Sequence, residues 1–130
     1  MDVGLTCSIR NMTRSRAPAL PYSDMVRHVL GARYELSLAF IGRDRSKDLN
    51  MKLRGKNKPA DVLSFPLTKT TGEITLCLER IKKEAKKFNH SYTQHVAFLF
   101  IHGLLHLKGL DHGSTMETEE RRIMKFFQMR

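Results

Sequence analysis

Apolar residues recur with two different periods along the chain, and the two periods predict a mixture of strands and helices. In some segments they alternate with polar residues, as in half-buried strands. In others they recur every three or four residues, as in amphipathic helices. The predicted strands cover 3–9, 34–41, 61–65 and 73–78, and the predicted helices cover 23–30, 44–54, 79–89, 92–108 and about 115–128. Strands mixed with helices in this way predict one α/β or α+β pair of layers.

Local signals place particular residues at helix ends or on buried faces. Ser23 and Ser114 stand where the side chain of an N-cap residue is expected, each just before a helix. In the third predicted helix we expect Phe88 to point inward while the lysines point outward, and in the last we expect Phe126 to pack inward. The helix over 92–108 is the most apolar, so it should be central.

The length and composition are those of one ordinary globular domain, 1–130. With 41 % apolar and 28 % charged residues, the chain is not wholly disordered. Its longest aliphatic and aromatic run, Val96–Ile101, is far too short to cross a bilayer, and no signal peptide is visible. Cys7 and Cys77 form no CxxC pair, which indicates buried thiols in a reducing cytoplasm.

The net charge of +10 is concentrated in two short segments. Residues 43–58 carry seven basic and two acidic side chains, and residues 79–90 carry five basic and two acidic ones. Such a balance indicates a polyanionic partner, either nucleic acid or an anionic membrane surface, and two clusters favour a phosphate-binding face over merely solvated lysines. The candidate contact residues are Arg54, Lys56, Lys58, Lys82, Lys83, Lys86 and Lys87.

Three of the six histidines lie within eleven residues, in the run HGLLHLKGLDH. His102 and His106 are four residues apart on the predicted central helix, so their rings share one face. Gly109 can end this helix in the left-handed conformation, which lets His112 approach the same point from outside the helix. Three neutral imidazoles that leave a fourth position open for water are typical of a catalytic metal site. Zinc is the expected metal, one ion per chain, although imidazole also suits other divalent transition metals.

The neighbours of these histidines limit the chemistry. The position after His102, which holds the general base in peptidases with an HExxH motif, is Gly103. Peptide hydrolysis by that route therefore lacks its base, whereas phosphodiester cleavage needs an activated water and a cation for the phosphate oxygens. Asp111 either orients a ligand histidine or caps the turn, and both interpretations stay open. His95, on the helix face of His102, is expected to pack rather than to be a fourth ligand.

Three ordered blocks of the sequence resemble the YbeY family, the bacterial endoribonucleases of rRNA maturation. The run HGLLHLKGLDH is similar to the family signature HGxLHLxGyDH, with Leu110 in place of the common tyrosine. The run LNMKLRGKNKPADVLSFP is similar to LNxxYRGKDKPTDVLSFP, with Leu53 and Ala60 in place of tyrosine and threonine. Gly72-Glu73-Ile74 is similar to the family's GDI. The three blocks lie within about residues 36–113.

The resemblance implies a fold, an activity and the roles of individual residues. It implies a metal-dependent, single-strand-specific endoribonuclease that matures the 3′ end of small-subunit (16S) rRNA and acts in ribosome quality control in the cytoplasm. It also implies one mixed four-stranded sheet, which with the predicted elements gives an α+β domain of about five helices and a metal site on the central helix. The metal ligands carry over to His102, His106 and His112, and the functional arginine to Arg54. Its partners would be single-stranded rRNA and the small ribosomal subunit with its proteins, with no membrane.

Two other functions remain compatible with the sequence. One is a metallohydrolase of a different substrate, including a peptide, against which Gly103 and the charge both count. The other is a non-catalytic ribosome-assembly factor whose metal is a structural clip, because the sequence identifies no general base. The open coordination position favours catalysis over this alternative.

Overall fold

The computed structural model describes residues 6–129, and a four-stranded sheet organises them. The strands are β1 Cys7–Asn11, β2 Glu35–Ile41, β3 Val62–Pro66 and β4 Thr71–Cys77. The helices are α1 Tyr22–Leu30, α2 Arg43–Arg54, α3 Leu78–Ala85, α4 Tyr92–Lys108 and α5 Ser114–Phe126, with a 3₁₀ turn at Lys86–Phe88. The strand predicted over 3–9 continues to Asn11, and its residues Val3 and Leu5 lie outside the described part of the chain.

The strands lie in the order β1-β2-β4-β3. β1 pairs in parallel with β2, and β2 pairs in parallel with β4, so each pair is joined by a crossover that contains a helix, α1 in the first and α2 in the second. β3 pairs antiparallel with β4 in a hairpin, which leaves β3 as an edge strand. The predicted mixed sheet and α+β fold are therefore confirmed.

One face of the sheet is buried under α1 and α4. Leu36, Leu38 and Phe40 of β2 point to this face and are almost inaccessible to solvent, as the alternation in the sequence predicts. α4 packs on the same core with nine buried residues, which explains why it is apolar around most of its circumference. The prediction of a central helix over 92–108 is confirmed.

α2 is held near β3 by hydrogen bonds rather than by a large apolar face. The buried Ser46 hydroxyl donates to the carbonyl oxygen of Ala60 at 2.7 Å and accepts from its N–H at 2.9 Å. The Asn50 amide donates to the carbonyl oxygen of Lys58 at 2.7 Å. Leu53, in contrast, is exposed. These bonds tie α2, whose last residue is Arg54, to the segment that leads into β3.

Four local predictions are wrong, each for an identifiable reason. α1 begins at Tyr22 with Pro21 as its N-cap residue, and α5 has Gly113 as its N-cap residue, so Ser23 and Ser114 are helical residues that make no capping hydrogen bond. Phe88 is 51 % exposed because α3 tightens into a 3₁₀ turn, whose period of three residues turns it off the buried stripe. Phe126 is 62 % exposed because it ends α5 and stacks on the surface ring of His28.

Replacing Gly72 with alanine is expected to lower the free energy of unfolding by about 1–3 kcal/mol. A Cβ atom at this position in β4 would collide with the Tyr34 hydroxyl and lie 3.2 Å from a methyl group of Leu107. Urea unfolding measures the change. Gly42→Ala is the control, because a Cβ there meets nothing within 4 Å, and it should cost less than about 1 kcal/mol. Equal losses in the two variants would contradict this account of the packing.

Candidate metal centre and active site

α4, which carries two of the three candidate ligands, has well-defined ends. At its start the Ser91 hydroxyl accepts from the N–H of Gln94 and the Gln94 side chain accepts from the N–H of Ser91, a reciprocal capping box. At its end Gly109 adopts φ 108°, in the left-handed region, and its N–H donates to the carbonyl oxygen of His106. The predicted helix break at Gly109 is confirmed, and the chain turns there as a third ligand requires.

The break brings the three histidines together. One ring nitrogen from each of His102, His106 and His112 lies within 4.8 Å of the other two. The Nε2 atoms of His102 and His106 are 3.1 Å apart. The rings border a cavity of about 460 Å³ at the edge strand, whose lining residues are Arg54, Val62, Leu63, Ser64, His102, His106 and His112.

Hydrogen bonds on the far side of two rings decide which nitrogens face the cavity. The Nδ1 of His106 donates to the carbonyl oxygen of Leu110 at 3.0 Å, and the Nδ1 of His102 donates to the carboxylate of Glu120. Both protons are therefore on Nδ1, so the Nε2 lone pairs of the two rings point at each other. Their separation is close to the roughly 3.3 Å expected of two nitrogens bound to one tetrahedral ion at about 2.0–2.1 Å. The donor set fits a divalent metal, because a cation between the lone pairs removes their repulsion.

The surroundings of His106 keep its ring neutral. Burial lowers the pKa of His106 below its usual value, and the neighbouring His102 and His112 add to this effect. The hydrogen bond to Leu110 and the charge of Asp111 act in the opposite direction but do not reverse it. A neutral ring is the form that binds a metal, so the site is prepared for one without first losing a proton.

Glu120 of α5 is a site residue that the sequence analysis missed. It lies in a buried row with Met116, Ile123 and Met124, where it is only 6 % exposed, and its carboxylate contacts His102. A sequence signal was present. Glu120 lies four residues after Met116, three before Ile123 and four before Met124, so helical periodicity places it on the inner face of α5. Asp111 is exposed, and its predicted role of orienting a ligand stays a prediction.

The end of α2 brings Arg54 to the cavity of the histidines, and the functional role that the resemblance implies for it stays a prediction. Arg54 is the last residue of α2, and it lines the same cavity as the three histidines. Gly55 follows in the left-handed conformation at φ 69°, and the chain then leads to β3, which also lines the cavity. Within residues 6–129 Arg54 takes part in no ion pair, so its guanidinium is available to an anion in the cavity.

Gly103 fills a packing position. It is buried on the side of α4 that faces the sheet, and a Cβ atom there would lie 3.0 Å from the Cδ1 of Ile74 and 3.4 Å from a methyl group of Val62. The Cβ atom of a glutamate at this position would therefore be tightly placed against the fully buried Ile74. The absence of an HExxH base, noted in the sequence, therefore has a steric reason in this fold.

The predicted RNA-contacting lysines lie on two exposed parts of the surface. Lys56 and Lys58 follow Arg54 in the loop between α2 and β3. The other four, Lys82, Lys83, Lys86 and Lys87, are exposed on α3 and the 3₁₀ turn. None of the six lines the cavity of the histidines, and their contact with RNA stays a prediction.

His95 does not join the three converging histidines. It is fully buried, and its Nδ1 lies 3.1 Å from the Nδ1 of His90 beside the ring of Phe88. Burial lowers the pKa of His95. Its surroundings are those of a packed aromatic cluster at the start of α4.

Replacing Glu120 with glutamine is expected to weaken the binding of Zn²⁺ by about 10–100-fold. The amide keeps the shape of the side chain but removes the charge that holds the Nδ1 proton of His102 in place. Competition with a chromophoric chelator measures the affinity. Glu119→Gln is the control, since Glu119 pairs with Arg122 on the outer side of α5. This variant should bind Zn²⁺ as tightly as the wild type does. If the two variants bind Zn²⁺ equally well, the carboxylate of Glu120 does not support the site.

Comparisons with known proteins agree on one family. Residues 11–130 match the sequence profile of the family described as Endoribonuclease YbeY. The Endoribonuclease YbeY of Lysinibacillus sphaericus is 36 % identical over 69 % of this chain and 65 % of its own length. That of Carboxydothermus hydrogenoformans is 41 % identical over 69 % of this chain and 64 % of its own. The chain thus spans just under two thirds of the length of these relatives.

A solved structure shows the same fold. The solution structure of a protein from Thermotoga maritima superposes with a TM-score of 0.63, over 92 % of this chain and 87 % of that one, at 23 % sequence identity. Between residues 6 and 129, none of the helices combines the length and the apolar character needed to span a membrane.

Proposed function

Because the chain belongs to the YbeY family, as the match over residues 11–130 shows, we propose that it is a metal-dependent endoribonuclease that cleaves single-stranded RNA. The observation that supports this most directly is that Arg54 and the three converging histidines line one cavity. A metal site next to a free guanidinium suits a phosphodiester better than a peptide bond, since the phosphate carries charge that grows during cleavage.

The roles of the residues follow from their positions. His102, His106 and His112 would hold one Zn²⁺ ion per chain, the commonest partner of three imidazoles that leave a position open. When bound, the ion supplies Lewis acidity at the cleaved phosphate and lowers the pKa of water. Glu120 and the carbonyl oxygen of Leu110 hold the Nδ1 protons, which keeps the Nε2 atoms directed into the cavity. The guanidinium of Arg54 can donate two parallel hydrogen bonds to the phosphate oxygens.

We further propose that the substrate is ribosomal RNA in the cytoplasm, with cleavage in the 3′-end maturation of small-subunit rRNA and in ribosome quality control. The name of the matched relatives, Endoribonuclease YbeY, supports the reaction. The net charge of +10 supports a polyanionic substrate. The small subunit and its proteins would be the partners that present this RNA.

Cleavage by the purified protein tests the proposal against its alternatives. The wild type, reconstituted with Zn²⁺, should cut a labelled single-stranded RNA, and His102→Ala, purified in the same way, should not. The same sequence in a duplex should be cut far more slowly. An unstructured peptide should remain intact, and its hydrolysis would favour a different metallohydrolase. Equal RNA cleavage by wild type and His102→Ala would indicate a contaminating nuclease and would leave a non-catalytic assembly factor as the better interpretation.

Binding of single-stranded RNA is expected to weaken steeply with salt. Six phosphate contacts, at about 0.7 released ions each, give a slope near −4 in a plot of log affinity against log salt concentration. Reversing Lys82, Lys83, Lys86 and Lys87 to glutamate should flatten this slope, because these side chains are exposed together on α3 and the following turn.

The control for the lysine reversal carries the same change in net charge at other exposed positions. It reverses four basic residues outside the two basic segments, Arg14, Arg16, Arg33 and Lys69. Affinity and slope should change much less in this control. If the two quadruple variants behave alike, α3 is a solvated face and the effect belongs to net charge alone.

A further inference from the structure

The face of the sheet opposite α4 carries a groove of about 510 Å³. Its floor is formed by side chains of the four strands, among them Arg10, Phe65 and Glu73, and α2 forms one wall with Arg45. The groove is open to solvent, and the two arginines are exposed. It is a separate depression from the cavity that holds the three histidines.

The groove and the metal cavity share two elements. On β3, Leu63 and Ser64 line the metal cavity while Phe65 lines the groove. Since two residues along a strand span about 6.6 Å, the two depressions lie within a short step of each other. On α2, Arg54 lines the metal cavity and Arg45 lines the groove. The histidines lie on the side of the sheet that carries α4 and the groove lies on the other side, but β3 is the edge strand, so a polymer whose reacting bond is at the histidines can pass around this edge into the groove.

Phe65 and Glu73 form a pair in the floor of the groove. They are directly opposite each other in the β3–β4 ladder, so their side chains project from the same face with Cβ atoms about 4.5–5.5 Å apart. Both are only partly covered. Within residues 6–129 neither Glu73 nor Arg10 nor Arg45 takes part in an ion pair. An aromatic ring, an acceptor and two free guanidinium groups thus share one groove.

We propose that this groove binds a nucleotide adjacent to the cleaved linkage and that it prefers guanine. The inference rests on the proposed function, since it assigns a specificity site for the same RNA. Phe65 stacks on the base, and Glu73 accepts hydrogen bonds from its Watson–Crick edge. Arg10 and Arg45 bind the phosphates on either side.

The preference for guanine follows from the donors that each base presents. A carboxylate accepts hydrogen bonds and donates none. Guanine presents two adjacent donors, N1–H and the N2 amino group, to its two oxygens. Adenine and cytosine each place an acceptor beside their amino group, and the N3–H of uracil is flanked by two carbonyl oxygens. Glu73 is therefore a match for guanine and a mismatch for the other three bases.

A nucleic acid fits this groove better than an extended peptide does. Peptides that add to a sheet bind along the main chain of an edge strand. The floor of the groove consists instead of side chains on the flat face of the sheet, as in proteins that stack unpaired bases on a sheet surface. The hydroxyl groups of Ser37 and Thr75, also in the lining, can pair with sugar or base.

Equilibrium binding to short RNAs tests the proposal without cleavage. Fluorescent uridine nonamers with one central guanosine, inosine or adenosine are titrated with the protein in EDTA, and anisotropy gives the affinity. The wild type should bind the guanosine RNA about tenfold more tightly than the adenosine RNA, as a bidentate contact to a base implies. Inosine, which lacks the N2 amino group, should lie between them.

Three variants assign this preference to residues. Glu73→Gln should bring the guanosine and adenosine affinities within about twofold. Glu35→Gln is the control, because it makes the same change of charge at an exposed position of the neighbouring strand outside the groove, and it should keep the preference. Phe65→Leu should weaken the binding of all three RNAs. Thermal unfolding followed by circular dichroism verifies that each variant is folded.

The outcomes separate this inference from the proposed function. A wild type that cleaves RNA but binds the three nonamers equally overturns the guanine site and leaves the nuclease standing. If the Glu73→Gln variant still prefers the guanosine RNA, Glu73 does not recognise guanine and the inference is also overturned. If folded Phe65→Leu and Glu73→Gln bind every RNA as the wild type does, the groove serves another partner, such as a protein segment, and the inference is wrong. A wild type that neither binds nor cleaves RNA refutes the proposed function itself.

Discussion

Replacing His106 with alanine is expected to reduce the zinc content of the reconstituted protein from about one ion per chain to nearly none. His106 contributes one of two Nε2 atoms that face each other at 3.1 Å, and its loss leaves two ligands on separate elements. Two imidazoles do not make a stable zinc site in a protein, where three or four ligands are usual. Metal-dependent RNA cleavage should fall to the background of the assay, while much of the RNA affinity should remain, because the exposed basic segments provide it.

Elemental analysis of protein stripped with a chelator, reloaded with Zn²⁺ and desalted measures the stoichiometry. His28→Ala is the control, since this ring stacks on Phe126 at the surface, away from the cavity. It should bind one equivalent of zinc as the wild type does. The same stoichiometry in His106→Ala and wild type would refute the ligand assignment. Loading at neutral or higher pH matters, because protonated imidazoles release the metal.

Replacing Arg54 with alanine is expected to lower kcat by about 10²–10³-fold with a much smaller change in affinity. The guanidinium lies at the cavity of the histidines and has no competing carboxylate partner within residues 6–129, so it can follow the charge that develops on the phosphate. Interactions that are stronger in the transition state than in the ground state appear in kcat. Arg54→Lys keeps the charge but loses the planar pair of donors, and should restore only part of the rate.

Single-turnover cleavage of a short RNA, with affinity measured separately, distinguishes an effect on the chemical step from an effect on RNA binding. Lys52→Ala is the control, because it removes one exposed positive charge from the same helix without touching the cavity. It should leave the rate of the chemical step unchanged. If Arg54→Ala weakens affinity and rate by the same factor, Arg54 only anchors the RNA.

The parts of the site that depend on local sequence could be predicted. The spacing of His102 and His106 and the break at Gly109 each require only one helix and its end, and helical geometry relates them directly. The strand β2 could be predicted for the same reason, since its alternation is visible in a single segment. The approach of His112 to the other two histidines depends on the turn after α4, and this turn contains Gly109, which can adopt the positive φ that the turn requires.

The parts that depend on contacts between distant segments could not be predicted with the same reasoning. Glu120 reaches His102 from another helix, and it is one of three glutamates within four residues. Ser46 and Asn50 hold α2 through hydrogen bonds, whereas an analysis of apolar periodicity considers only the leucines of that helix. The groove on the open face exists only after four strands are aligned in register, so no single segment of the sequence indicates it.

The tight packing at Gly103 has a consequence for the evolution of this fold. The histidine motif of this chain differs from the HExxH motif of zinc peptidases only at Gly103. A change in that one codon would therefore give the gene the peptidase motif. In the protein, the Cβ atom of the new side chain would lie only 3.0 Å from the Cδ1 of the buried Ile74, so the core around it would have to shift. A smaller residue at position 74 would make room for it, but a protein that carried this change alone would have a cavity in its core and would be less stable. The order in which mutations arise, and not only their number, therefore limits a change from RNA cleavage to peptide hydrolysis in this fold.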